Sequence, residues 1–369
     1  MKWNWQQHEW PRFWWDDQGF SDLEAQFLRQ AGTLVGTSKH LHDDDLSTYI
    51  VDAMTSEALM TSEIEGEYLN RDSVRSSILQ EMGLKFTRRR VGSGEKGIAD
   101  LVIDLHRTYN QAITHQKLFT WHAMVVNERT DIANIGQYRR HSEPIQVVSG
   151  NVDNPKIHFE GPPSKDVPAH MEAFIEWWEQ SHPRGRKPVS TVIRPGIAHL
   201  YFVCIHPFED GNGRIARALA EKALAESLDS PSLISLSQTI HQNRKEYYKQ
   251  LAQNNQSLDI TGWLHYFAQT IIAAQKNALQ SIEFIIEKTK FFDRYANQLN
   301  ERQTKVLLRL FREGPAGFEG GLNAENYIQI TGTSRATATR DLQDLVKKSA
   351  LRKTGTLKST RYHLVLLNK

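Results

Sequence analysis

The sequence predicts a mainly α protein with a β-hairpin in its middle and a small, basic α+β domain at its C-terminus. Three observations carry that expectation. From Leu46 to Glu65, apolar residues such as Tyr49, Ala53, Met60 and Ile64 recur near the 3.6-residue period with no proline among them. Before the C-terminal region, the clear strand-like runs are Ile145-Gln146-Val147-Val148 and Lys156-Ile157-His158-Phe159, joined by the turn-rich stretch from Ser149 to Pro155. From Glu301 onward, 13 Lys+Arg stand against 6 Asp+Glu, although the whole chain carries 45 against 43. The basic charge is therefore local to the last seventy or so residues.

The chain of 369 residues has material for two or three domains and a buried core. Its 39% hydrophobic and 24% charged content describe an ordinary soluble protein. A single cysteine, Cys204, rules out an internal disulfide and suits a reducing compartment. It sits in an apolar run, which favours packing over reactivity. No stretch reads as a membrane span or a signal core, so the expected location is cytoplasmic.

Taken in order, residues 1–45 open with Trp3, Trp5, Trp10, Trp14 and Trp15. They read as an irregular module whose aromatics either clamp onto the main domain or offer a peptide-binding surface. The helix from Leu46 stops at Gly66, a natural C-terminal residue. Residues 70–135 read as helical, broken by a basic, glycine-containing loop from Arg88 to Gly94 that is expected to be solvated. Gly136-Gln137-Tyr138-Arg139 leads into the hairpin. Gly161-Pro162-Pro163 ends it, and helix resumes from Val167 to Trp178.

The densest stretch follows the apolar run His199–Ile205: His206-Pro207-Phe208-Glu209-Asp210-Gly211-Asn212-Gly213-Arg214-Ile215-Ala216-Arg217. Pro207 disfavours helix in the residue before it, so one helix ends near His206. Another begins after Asp210-Gly211-Asn212-Gly213. The glycines allow close backbone approach, and first-turn N–H groups bind anions. Arg214 and Arg217 are three apart and share one side of the new helix. His206 is the group that titrates near neutrality, a candidate base for an incoming hydroxyl. Asp210 offers a hard oxygen to Mg2+. Phe208 is expected in the core and Glu209 in solvent. A plain Asp-Gly/Asn-Gly turn accounts for the glycines but not for His206, Arg214 and Arg217 at these offsets.

This stretch resembles the signature of the Fic family, His-Pro-Phe-x-(Asp/Glu)-Gly-Asn-Gly-Arg-x-x-Arg, at every specified position. The resemblance implies a Fic-type helical domain with a β-hairpin flap. It further implies transfer of AMP from Mg-ATP to a Ser, Thr or Tyr hydroxyl of a target protein, with Mg2+ as cofactor. His206 would deprotonate the hydroxyl and Asp210 would hold the metal. Gly211, Asn212, Gly213, Arg214 and Arg217 would grip the phosphates. Glycines at 211 and 213 argue against the phosphate-transferring branch of the family, whose loop contains lysine.

Thr61-Ser62-Glu63-Ile64-Glu65-Gly66 is similar to the family's inhibitory motif, (Ser/Thr)-x-x-x-Glu-(Gly/Asn). By that likeness Glu65 would pair with Arg217 and take the space of the γ-phosphate, while Glu63 and Glu67 read as an exposed acidic helix end. The hairpin corresponds to a flap that pairs with an extended target segment, making Val147 and Val148 candidate docking residues. His241–Leu251 resembles the segment bordering the nucleotide base. There Tyr247 and Tyr248 would contact adenosine and Asn255 the adenine edge, or the tyrosines are ordinary core residues. Another transferred nucleotide, such as UMP, stays open.

Long helices run from Gly262 to about Asn300. Beyond them, two apolar helix faces, a Gly332-Thr333-Ser334 turn capped by Ser334, a third helix and two strand-like runs around Gly355 look like a winged helix. Arg335, Thr337, Thr339 and Arg340 would lie on or near its recognition face, with Lys353 and Lys358 near the wing, available to DNA or to protein. The expected organisation is residues 1–45 as the Trp-rich module, 46–70 as the inhibitory helix, 71–290 as the Fic catalytic domain and 301–369 as the winged helix. A homodimer is possible on this reading. Two other functions stay open: removal of AMP with Glu65 orienting a water, and a DNA-binding regulator whose Fic pocket senses nucleotide.

Overall fold

The computed structural model describes residues 2–85, 91–127, 129–151, 154–314, 318 and 320–366. Arg88, Arg89 and Arg90 lie outside them, as do Val152 and Asp153 of the hairpin turn, and the Lys358 side chain is likewise not described. In chain order the helices are α1 (Phe20–Ser38), α2 (Asp43–Ile64), α3 (Arg71–Glu81), α4 (Ser93–Arg107) and α5 (His115–Val125). The hairpin β1 (Gln146–Asn151) and β2 (Asn154–Glu160) follows, then α6 (Val167–Gln180), α7 (Arg194–Ile205), α8 (Asn212–Leu228), α9 (Leu236–Gln242), α10 (Arg244–Asn254) and α11 (Thr261–Arg294). Last come α12 (Glu301–Phe311), α13 (Ala324–Thr331), α14 (Arg335–Lys347), β3 (Leu351–Thr354) and β4 (Arg361–Leu364). The chain divides into one unit of residues 1–32 and 47–276 and a second of 33–46 and 277–369.

In the first unit α7 is buried on all sides, as an apolar helix in the middle of a domain must be. Tyr201, Phe202 and Ile205 of α7, Trp121 of α5, Phe174 of α6 and Phe208 share one core. Each such side chain stabilises the fold by roughly 1.5–3 kcal/mol through burial. α8 packs against α7, so the segment joining them is held from both ends. β1 and β2 pair antiparallel, with Gln146 opposite Glu160, and the register slips between Val147 and Val148. They form a two-stranded sheet of their own, and among the described residues no strand pairs with the outer edge of β1.

The N-terminal aromatics clamp onto this unit. Trp3 meets Phe159 edge-on at 5.4 Å, Trp10 meets Tyr201 at 5.3 Å, and the Trp5 indole donates to the Glu160 carbonyl at 2.7 Å. Cys204 is buried against the Asn4 side chain at 2.9 Å, and burial pushes its thiol up to about 12. Residues 20–38 correct the expectation of an irregular module. Phe20, Phe27, Ala31 and Leu34 are buried at helical spacing, a stripe that the neighbouring tryptophans obscured in the sequence.

The second unit has its own core, including Val306, Leu310, Tyr327, Leu342, Leu345 and Tyr362. Asn300 caps α12, Asn323 caps α13, and the Ser334 hydroxyl accepts from the Thr337 N–H at 3.3 Å to start α14. Gly332, at φ +70°, makes the turn between α13 and α14. β3 and β4 pair antiparallel with Leu351 opposite Leu364.

Candidate active site

The site is built where α7 gives way to α8. α7 stops because His206 adopts a left-handed conformation, φ 51° and ψ 58°, with Pro207 behind it. The His206 Nδ1 lies 3.1 Å from the Val203 carbonyl. A carbonyl only accepts, so Nδ1 carries the proton and the Nε2 lone pair is free. Burial pushes this imidazole down to about 4, and the nearby Arg139 charge acts in the same direction. At neutral pH the ring is an uncharged base.

Phe208 is fully buried and stacks on His122 at 4.1 Å, anchoring the loop. Asn212 closes it. Its Oδ1 accepts from the Phe208 N–H at 3.0 Å and its Nδ2 donates to the Phe208 carbonyl at 2.8 Å. The Asn212 side chain is thus committed to the loop, and only its backbone N–H is left to face an anion. Gly211, at φ +80°, sits where a Cβ would come 2.8 Å from Val125 Cγ1. Glu209 is not a solvent residue: its carboxylate accepts from the Ala133 N–H at 2.8 Å and from the Asn134 amide, pinning the loop that ends α5.

Two arginines leave the first two turns of α8, and each meets an acid from just beyond the end of α2. Arg217 is fully buried. Its Nη2 pairs with Glu65 Oε1 at 2.8 Å, its Nε donates to the Thr61 hydroxyl at 2.8 Å and its Nη2 to the Thr61 carbonyl at 2.8 Å. Burial works against the Arg217 charge, but Glu65 and Tyr247 more than offset it and its pKa rises. Any side chain at Gly213 would run into the Glu65 carboxylate, which therefore lies over the start of α8. Here helix N–H groups and a positive dipole end favour an anion.

Glu67, expected as an exposed helix end, instead pairs with Arg214 at 2.5 Å and reaches Arg129 at 3.7 Å. Asp210 is shared by Arg129 at 3.1 Å and Arg214 at 3.3 Å. Glu63 lies 3.4 Å from His241. Residues 63–67 thus leave the helix by a turn at Gly66, φ +89°, that puts both Glu65 and Glu67 on the arginines.

Tyr247 and Tyr248 are both at the site, where their hydroxyls are engaged within the protein. The buried Tyr247 hydroxyl lies 3.4 Å from Arg217 Nη1 and 3.0 Å from His199 Nε2. The Tyr248 hydroxyl donates to the Ile64 carbonyl at 2.9 Å, holding the end of α2. The Asn255 side-chain amide N–H donates to the His158 carbonyl of β2 at 2.9 Å, and the Asn255 backbone carbonyl accepts from the Asn4 N–H at 2.9 Å. Val147 and Val148 are exposed on the hairpin beside Ile157, whereas Phe159 turns inward to 6.2 Å from the His206 ring.

The residues fit a metal ion that arrives with its own oxygens. Among the described residues no group of three His, Cys, Asp or Glu side chains converges. Mg2+ commonly uses one or two carboxylates and completes its shell with phosphates and water, which a single Asp210 suits.

Residues 112–224 match the family model described as "Fic/DOC family", and residues 3–84 match one described as "Domain of unknown function (DUF4172)". The protein adenylyltransferase Fic of Nematostella vectensis is 32% identical over 130 residues, 35% of this chain and 28% of that protein. That of Drosophila virilis is 30% identical over 131 residues, 35% of this chain and 25% of that protein. The alignments thus span little more than a quarter of these relatives. A Fic family protein from Desulfovibrio desulfuricans G20 superposes with a TM-score of 0.53 at 18% identity, over 93% of this chain and 96% of that one, a likeness of fold. The α7–α8 junction with His206 lies within residues 112–224, the segment that is similar to the Fic/DOC family.

Proposed function

We propose that the protein is an Mg-ATP-dependent adenylyltransferase that transfers AMP to a hydroxyl side chain of a target protein, and that it rests in an inhibited state. The observation that carries this reading is the Glu65–Arg217 pair, 2.8 Å long and seated over the α8 start. A phosphate chain needs the same N–H groups and the same guanidinium.

His206 acts as base: its neutral Nε2 takes the proton of the incoming hydroxyl as oxygen attacks the α-phosphate. Arg214 and Arg217 neutralise charge on the leaving phosphates, and Gly211 and Gly213 let the backbone come close. When bound at Asp210, Mg2+ supplies charge to the phosphate oxygens. Asn212 keeps the loop in shape. The unpaired edge of the hairpin, with Val147 and Val148 exposed, receives an extended segment of the target. In the resting state Glu65 holds Arg217 and Glu67 holds Arg214, so neither cation is free for phosphate.

Label position tests this. Released protein, Glu65→Gly, should take label from ATP marked at the α-phosphate and none from ATP marked at the γ-phosphate. The same protein with His206→Ala should take none from either. Label from the γ-position, or label that survives His206→Ala, contradicts the reading.

A second reading concerns residues 301–369, which we propose form a nucleic-acid-binding winged helix. The supporting observation is the charge arrangement on α14. Asp341 is tied to Arg302 at 2.9 Å and Asp344 to Lys348 at 2.5 Å, while Arg335, Thr339 and Arg340 are exposed. Arg352 and Lys353 on β3 are exposed as well. Lysines and arginines on such a face release counterions from DNA, so affinity should fall steeply with salt. Binding that is insensitive to salt, or unchanged in Arg335→Ala/Arg340→Ala, opposes it.

A further inference from the structure

We infer that Arg139 is a positioning residue for the His206 base: its buried guanidinium gathers the carbonyls at the end of α7 and so fixes the left-handed turn on which the imidazole stands. The inference rests on the transfer reading above.

The last carbonyls of a helix have no partner within it. Here one side chain meets them. Arg139 Nε donates to the His206 carbonyl at 2.8 Å, and Nη2 lies 3.5 Å from the Ile205 carbonyl and 2.5 Å from that of Pro162. Nη1 donates to the Ser164 hydroxyl at 2.8 Å, and the Arg139 backbone N–H donates to the Pro207 carbonyl at 3.0 Å. Three successive carbonyls, at Ile205, His206 and Pro207, are held by this one residue. Gly161 leaves the room: a Cβ there would come 3.3 Å from both Arg139 Nη2 and His206 Cβ.

Arg139 is 1% exposed. No ion pair joins it to a carboxylate among the described residues, and burial pushes its pKa down to about 10. A buried cation held by neutral carbonyls and a hydroxyl is costly, and a carboxylate neighbour would relieve it. The missing counter-charge has a consequence at His206. Carbonyls at a helix end favour a cation, so alone they would draw His206 into its protonated, useless form. Arg139 already fills that place with a permanent charge. The charged groups that act on His206 are Arg139 from the turn at 136–139, Glu65 beyond the end of α2, and Asp210 in the loop. Glu65 and Asp210 favour the imidazolium; Arg139 opposes it.

The experiment separates charge from geometry by two substitutions in the Glu65→Gly protein, Arg139→Met and Arg139→Lys. Two readouts are the His206 titration midpoint, by NMR of histidine-labelled protein assigned with His206→Asn, and the labelling kcat and KM for ATP. Arg139→Met should move the midpoint up toward the ordinary imidazole value of about 6.5. Its kcat at pH 7 should fall roughly tenfold to a hundredfold with KM little changed. Arg139→Lys keeps the charge and loses the fork, so the midpoint should stay low while kcat falls. A wild-type kcat in Arg139→Met, or an equal rise of the midpoint in both variants, overturns the inference. If Arg139→Met does not fold, Arg139→Lys decides: lower kcat at unchanged KM supports the role, and unchanged kcat refutes it. Failure of the transfer reading shows separately, as absence of label in the Glu65→Gly parent.

Discussion

Glu67 pairs with Arg214 at 2.5 Å, beside the pair that Glu65 makes with Arg217 at 2.8 Å. Two acids separated by one glycine thus occupy two arginines of one helical turn. Arg214 is buried and Glu67 only partly so, which makes this contact tighter than an exposed surface pair. Freeing Arg214 should act on nucleotide affinity. Glu67→Gln in the Glu65→Gly background should therefore lower KM for ATP several-fold and change kcat little. Steady-state labelling across ATP concentrations checks this. A raised KM would mean that Glu67 orients Arg214 for its task.

Thr61 tests how firmly α2 is fastened. Its hydroxyl accepts from Arg217 Nε at 2.8 Å in a buried setting. Thr61→Val leaves that donor without a partner, which costs about 1–3 kcal/mol. Chemical denaturation should show the loss, and basal labelling should rise because the Glu65-bearing end of α2 is less well held.

The pH dependence follows from His206. Its folded pKa, about 4, lies below the unfolded value, so the folded state binds fewer protons between the two. Stability from this group is present above the unfolded pKa and is lost as pH falls through the folded one. Labelling by Glu65→Gly protein should accordingly stay flat from pH 8 to about 5, without the fall near 6.5 of an ordinary histidine base. A pH–rate profile checks this, with circular dichroism at each pH to confirm that the protein is folded.

Glu57 on α2 and Glu221 on α8 give the opposite sign. Burial raises both carboxyl pKa values, and the nearness of Glu57 raises Glu221 further. Such a pair is most favourable at low pH and loses stability as pH rises toward the folded pKa of Glu221. Glu221→Gln, which needs no proton, should raise the melting temperature at pH 8 more than at pH 5. Thermal scans at the two pH values test the sign.

Much of the fold was legible because its signals are local. The 206–217 stretch contains its own helix stop, turn glycines and second helix start, so His206, Asp210, Arg214 and Arg217 were bound to converge. Ser334 and Gly332 marked the turn before α14 by ordinary capping chemistry. What escaped depends on contacts between distant segments. Nothing in the sequence says that Asn255 gives its amide to His158, that Asn212 closes on Phe208, or that Glu67 passes Gly66 to reach Arg214. Arg139 was visible in Gly136-Gln137-Tyr138-Arg139, but its task is set by carbonyls more than sixty residues away, and Arg129 carried no signal at all.

In the proposed resting state Glu65, by holding Arg217, keeps the site from seating ATP productively. Initial self-labelling rates of wild-type and Glu65→Gly protein, at equal protein and saturating Mg-ATP, test it most directly. A rise of roughly a hundredfold is expected in the variant, the scale of correcting a misaligned substrate. Equal rates in a folded variant would contradict it.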